Sequence, residues 1–190
     1  MGRWEPDARG RLGKAALELF DERGYEQTTV AEIANRAGLT ERTFFRHYAD
    51  KREVLFAGSA ALQDLIVGAV AGTPEGTAPI DAIAAGLDAA ADQIFRGAHR
   101  HARRRQALVS AHTDLQEREL VKLAALSSAL TRTLRGRGVT EPAASLAAEA
   151  GTAVFRVAFE RWVDEADQPR ELADVIHESL AEFKSLTAAG

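Results

Sequence analysis

Apolar residues recur along this chain at helical spacing, and its informative stretches carry no alternating β-branched runs of the kind that make strands. Leu12, Ala15, Ala16, Leu19 and Phe20 form a first stripe, and Gly24 supplies its stop. Val30, Ile33 and Ala37 form a second, with Glu32, Asn35 and Arg36 left outside and Gly38 at its end. Thr40 opens a third helix, because its hydroxyl can accept from the free amides of a first turn, and Phe44, Phe45 and Tyr48 supply the anchoring face. Two short helices across a glycine turn have the spacing of a helix-turn-helix, whose second helix lies in the major groove of DNA.

Beyond this head, Asp50 can cap a connecting helix that starts at Lys51 and carries Val54, Leu55, Leu62, Leu65, Ile66 and Val70 towards Ala71. The run from Gly72 to Pro79 has a loop composition and ends it. Ile83, Leu87, Ala90, Ala91 and Ile94 mark a helix to about Gly97, and a short basic segment follows to His112. A longer helix spans Leu115 to Leu134, another runs from Pro142 to about Glu165, and Asp167 with Pro169 opens the last, to about Leu186. The expectation is an all-α protein of about nine helices, with a head over residues 1–52 and a helical body over residues 53–190.

The last two helices carry more apolar surface than one core face requires. Ala147, Gly151, Val154, Ala158 and Trp162 run along one line of the first, with Ala148, Phe155 and Phe159 along another. The final helix has Leu172, Val175, Ile176, Ser179, Leu180 and Phe183 as a regular stripe. Small residues allow close approach, so a four-helix bundle across a two-fold axis would make these residues a homodimer interface. The alternative is that both helices are internal core.

Composition narrows the chemistry. At 190 residues and 46% hydrophobic, the chain can bury a sizeable core, and without cysteine it has neither disulfides nor thiolate metal sites. No apolar run is expected to approach a membrane span, and the N-terminus lacks an apolar signal core, so the protein is expected to stay in the cytoplasm. The net charge of −4 argues against indiscriminate coating of nucleic acid, although global charge is the wrong quantity if only one end binds. Residues 1–56 hold 10 basic and 10 acidic side chains, so DNA contact has to come from a few aimed groups. Arg3, Arg9 and Arg11 are either a phosphate-touching arm or solvated terminal charges.

From AALELFDERGYEQTTVAEIANRAGLTERTFFRHYADKREVL onward, with an all-helical remainder, the chain resembles the TetR family of bacterial transcriptional regulators. Carried over position by position, the resemblance implies phosphate contacts for Thr29, Thr43, His47 and Lys51. The position of Phe45 is commonly Tyr in the family, and Phe lacks the hydroxyl, leaving Tyr48 or Arg46 to compensate. Base-edge positions fall at Thr40, Glu41 and Arg42. Arg reads guanine through O6 and N7, and Glu accepts from cytosine N4, which makes a G·C element in each half-site the expectation; a solvated helix face is the alternative. The resemblance further implies a homodimer that binds a double-stranded operator and a C-terminal domain for ligand binding and dimerisation. An unknown small-molecule effector would shift it off a palindromic operator, as for a repressor.

Candidate effector contacts are Phe95, His99, His112, Phe155 and Trp162. The run from Arg96 to Gln106 is either an anion site or a solvated helix junction. A catalytic role finds no support in the pattern: Ser110 and Asp114 share a helix face while His112 points about 200° away from Ser110. His99 and His101 likewise diverge, no His-Glu-x-x-His pattern occurs, and no metal or cofactor is expected. Rival readings are a helical adaptor, or a small-molecule-binding protein or enzyme that kept the fold without regulating transcription.

Overall fold

The computed structural model describes residues 7–166 and 169–188. Every regular element among them is helical, and the chain divides into two compact units, residues 1–58 and 59–190. Arg3 and Asp167 lie outside the described residues.

The first unit is built from α1 (Ala8–Arg23), α2 (Val30–Arg36) and α3 (Glu41–His47), followed by a 3-10 turn, Arg52–Phe56. α1 stops at Gly24, whose φ of +86° suits a residue without Cβ, and its stripe of Leu12, Ala15, Ala16, Leu19 and Phe20 is buried. Gly38, at φ +67°, makes the turn between α2 and α3. Phe44 is fully buried, and Val54, Leu55 and Phe56 are buried as well, so this unit extends past the 52/53 boundary expected from the pattern. The connecting helix expected from Lys51 to Ala71 is divided: turn residues 57 and 58 separate the 3-10 turn from α4 (Ser59–Ala71). Asp50 does act as a cap, accepting the Glu53 amide at 3.1 Å. By length and composition the stretch Arg52–Ala71 would pass for a membrane span, which corrects the expectation that none exists; Ile66 and Val70 within it are fully buried in protein core.

The second unit holds α4, α5 (Pro79–Ala90), a π turn (Ala91–Phe95), α6 (His99–Ala111), α7 (Thr113–Gly136), α8 (Ala143–Asp164) and α9 (Leu172–Ala188). The basic segment is therefore a helix, α6, fastened through Ala102 and Val109. α5 lies against α4, α8 and α9. Two glycines permit the closest approaches: a Cβ on Gly86 would lie 2.9 Å from the Ile66 carbonyl oxygen, and one on Gly151 would lie 2.5 Å from Ile83 Cγ2. Arg137, just after α7, ties down the α4–α5 loop by donating to the carbonyls of Ala71, Thr73 and Pro74 at 3.1, 2.8 and 2.8 Å.

Most of the expected dimer interface is corrected by this packing. Gly151, Val154, Ala158 and Trp162 of α8 and Val175 and Ile176 of α9 are buried within one protomer, and none has surface left for a partner. Ser179 is also buried and accepts from Arg161 at 2.9 Å; Leu180 is buried beside it, and Ala147 and Phe183 pack partly against the same core. The apolar side chains that α8 exposes lie elsewhere. Leu146 and Val157 are 66% and 42% exposed, and with Ala150 and Ala153 they follow helical spacing.

Candidate nucleic-acid interface and effector site

The reading pair is set by its caps. Thr29 accepts the Glu32 amide at 3.2 Å while Glu32 accepts the Thr29 amide at 2.9 Å, a reciprocal capping box that fixes the start of α2. Thr29 hydrogen bonds hold the Glu32 carboxyl below the usual carboxylate range, its backbone amide contributing most. Thr40 caps α3 by accepting the Thr43 amide at 3.2 Å, and the two hydroxyls lie 3.1 Å apart. Thr29, Thr40, Glu41, Arg42 and Arg46 are exposed, and Thr43 and His47 are half-buried.

Two residues suggested as phosphate contacts are engaged inside the head. Tyr48 is 4% exposed and its hydroxyl donates to the Arg9 carbonyl at 3.0 Å; burial pushes its pKa up. Lys51 donates to the carbonyls of Tyr25 and Thr28 at 2.7 and 3.0 Å, with its ammonium 4.2 Å from the Tyr25 ring centroid. Tyr48 is thus in no position to replace a hydroxyl missing at Phe45. Phe45 itself is 55% exposed, its ring edge-on to Phe44 at 5.5 Å, and it shares the solvent face of α3 with Glu41, Arg42 and Arg46.

Most other cations of the head are also tied down. Arg9 donates to the Ala57 carbonyl at 2.7 Å and Arg11 to that of Ala37. Arg23 bonds Glu32 at 2.7 Å, and Arg36 bonds Glu22 through both terminal nitrogens, at 2.9 and 2.7 Å. That fork holds the Glu22 carboxyl below its ordinary range and Arg36 above its own. Among the described residues of the head, Arg42 and Arg46 are the arginines that point outward from α3 without an intramolecular partner.

In the helical unit the structure brings together four of the five suggested effector contacts. Phe95 ends the π turn; its ring centroid lies 6.2 Å from Phe155 and 6.0 Å from Trp162. His99 at the start of α6 lies 4.9 Å from Trp162, edge to face, with Nε2 2.8 Å from the Trp162 carbonyl. Phe159 completes the cluster, 5.5 Å from Phe95, 6.0 Å from Phe155 and 5.8 Å from Trp162. Its place on the α8 apolar line signalled packing, and only the fold reveals the shared rings. His112 is set apart from the others, at the far end of α6, roughly 20 Å along the axis from His99. Of the basic run, Arg105 pairs with Glu119 at 2.8 Å and Arg96 with Asp92, while Arg100, His101 and Arg103 are exposed. A separate open cleft of about 600 Å³, lined by Thr73, Glu75, Thr77, Arg137 and Val139 among others, lies at the α4–α5 loop. Arg137 occupies its wall with bonds to loop carbonyls.

Comparison with known proteins agrees with both units. The family model described as bacterial regulatory proteins, tetR family, matches residues 12–57, and that described as the MftR C-terminal domain matches residues 77–187. The HTH-type transcriptional regulator TcmR of Streptomyces glaucescens is 37% identical over 89 residues, a stretch that spans 47% of this chain and only 39% of that protein. The fold is shared with a putative transcriptional regulator from Pseudomonas aeruginosa PAO1 at TM-score 0.63 and 19% identity, over 98% of this chain and 94% of that one. It is shared also with SmeT, the repressor of the Stenotrophomonas maltophilia multidrug efflux pump SmeDEF, at TM-score 0.58 and 19% identity, over 94% and 89%.

Proposed function

The chain belongs to the tetR family of bacterial regulatory proteins, and from that premise we propose that it is a cytoplasmic, ligand-responsive repressor that binds a palindromic operator as a homodimer, without catalysis. The observation that carries the DNA reading is the outer face of α3, where Glu41, Arg42, Phe45 and Arg46 stand exposed on a helix that Thr40 caps. Arg42 reads guanine through O6 and N7, and Glu41 accepts from cytosine N4. The capped starts of α2 and α3, with Thr29 and Thr43, face phosphate.

The exposed α8 line of Leu146, Ala150, Ala153 and Val157 is the surface we assign to the partner protomer, in place of the buried set. Effector binding among the rings of α6 and α8 shifts the population away from the DNA-competent state. The test is a gel shift and footprint on the DNA upstream of its own gene, where protection of an inverted repeat is expected. No protection at low salt would overturn the reading. Arg42→Ala then loses about 1–3 kcal/mol confined to one base position; an equal loss on every sequence would reduce Arg42 to a phosphate contact.

A further inference from the structure

Among the described residues of the first unit, Phe45 is the one large apolar side chain left exposed. Its neighbour Phe44 is fully buried and meets the Phe45 ring edge-on at 5.5 Å, so the ring is propped outward on a fixed base. A lone exposed ring is ordinary on a protein surface, and it is the position on α3 that gives this one a role. With residues about 100° apart around the helix, Phe45 falls between Glu41 and Arg42, about 40° from the first and about 60° from the second. Arg46 lies about 40° beyond Arg42. The ring therefore stands in the middle of the face assigned to the bases.

In the major groove a guanidinium donates to guanine O6 and N7 and a carboxylate accepts from cytosine N4, whereas the apolar feature of the groove is the C5-methyl group of a pyrimidine. A phenyl ring fits that methyl and has no hydrogen bond to offer the polar edge of any base. Along the axis of α3, Phe45 sits about 4.5 Å beyond Arg42 and about 6 Å beyond Glu41, which is one to two base steps of about 3.4 Å. The methyl projects at the outer edge of the groove floor, beside the backbone of its own strand, so a ring that meets it stays within reach of phosphate.

We propose that Phe45 is a specificity residue that reads a pyrimidine C5-methyl group in the major groove, within about two base pairs of the guanine read by Arg42. This rests on the reading of the chain as a DNA-binding regulator, and names a letter of its operator. Two bases carry the group. Thymine supplies it as a fixed part of the sequence, and 5-methylcytosine supplies it only after the DNA has been methylated. In the second case Glu41, beside Phe45 on α3, accepts from N4 of the same base, where thymine would present an oxygen. Operator occupancy then responds to methylation of the DNA.

The probe is a duplex enriched from a random pool by the full chain, with affinity read by fluorescence anisotropy. Each thymine in turn is replaced by deoxyuridine and each cytosine by 5-methyldeoxycytidine, in both half-sites together. These changes remove or add one methyl and leave every hydrogen-bonding edge intact. One buried methyl is worth about three- to fourfold in affinity, hence about tenfold across two half-sites. A thymine at which loss of the methyl weakens binding by that factor identifies thymine as the source, and a cytosine at which the added methyl tightens it identifies 5-methylcytosine. Phe45→Ala removes the response at that position, and Phe45→Leu, still apolar, keeps part of it. Phe45 is exposed, so both variants keep the core of the head, which circular dichroism checks. A duplex indifferent to every methyl, or a response undiminished in Phe45→Ala, overturns this inference and leaves the regulator reading standing. Failure to enrich any duplex overturns the regulator reading, and this inference with it.

Discussion

Replacing Gly86 by alanine tests how closely α4 and α5 are packed. In mid-helix the change ordinarily stabilises by about 1 kcal/mol, since glycine has more backbone freedom to lose. Here the new Cβ would lie 2.8 Å from Val70 Cγ2, 2.9 Å from the Ile66 carbonyl oxygen and 3.0 Å from Ile66 Cγ2. Carbon pairs settle at about 3.5–4.0 Å, so each contact is too short. The carbonyl belongs to the α4 backbone and has no rotamer by which to move aside. α4 must back away from α5, loosening Ile66, Val70 and Ile83, all fully buried. Overpacking of this kind costs about 1–3 kcal/mol against a propensity gain of about 1 kcal/mol, for a net loss of up to about 2 kcal/mol. That lowers the melting temperature by up to about 8 °C in a chain of this size. Gly68, on α4, is the control: no atom lies within 4 Å of its would-be Cβ, so Gly68→Ala gains about 0.5–1 kcal/mol. Urea and thermal unfolding followed by circular dichroism measure both. A rise in stability for Gly86→Ala comparable to that for Gly68→Ala would refute the packing argument.

Phe45→Tyr should strengthen DNA binding by about 0.5–1.5 kcal/mol on operator and non-operator duplexes alike, read by fluorescence anisotropy, because Phe45 is exposed on α3 and the added hydroxyl can reach phosphate. An unchanged affinity would remove it from the backbone contacts. Val157→Glu, combined with Leu146→Glu, should leave the protomer folded while light scattering reports a monomer; a persistent dimer would place the interface elsewhere. Arg170 bonds both Glu165 and Glu178, which holds both carboxyls below their ordinary range. With folded-state values lowered, their contribution is present above the unfolded glutamate value and is lost as pH falls through the folded one. Acid titration should therefore destabilise Arg170→Ala less than the unchanged protein, and equal acid sensitivity would discount the network.

The head was legible because its signals are local. Gly24 and Gly38, the Thr40 cap and the buried Phe44 each act within a few residues of themselves. The break before α4 had its signal in Gly58, but the apolar run on both sides hid it. α8 shows why the body was harder to read. Its sequence displays apolar residues around most of the helix, and periodicity alone does not say which line meets α5 and which meets a partner. The close fit of Gly151 on Ile83 decides which line meets α5, and Ile83 lies far away in sequence. α6 escaped notice because only Ala102 and Val109, two turns apart, anchor a strongly basic helix. The Thr152 hydroxyl, buried without a hydrogen-bond partner, had no sequence signal at all, since it is defined by what the neighbouring helices fail to offer.

The internal engagement of the head's cations bears on how the protein moves through a genome. With Arg23 and Arg36 paired to glutamates and Arg9, Arg11 and Lys51 turned onto backbone carbonyls of the head, few cations are left pointing outward to displace counterions from a random duplex. On the proposed function, residence on arbitrary sequence would be brief. If the head reads an operator as proposed, its search would proceed by repeated short encounters through solution instead of long one-dimensional slides, with the operator recognised on arrival by a head whose geometry is already assembled.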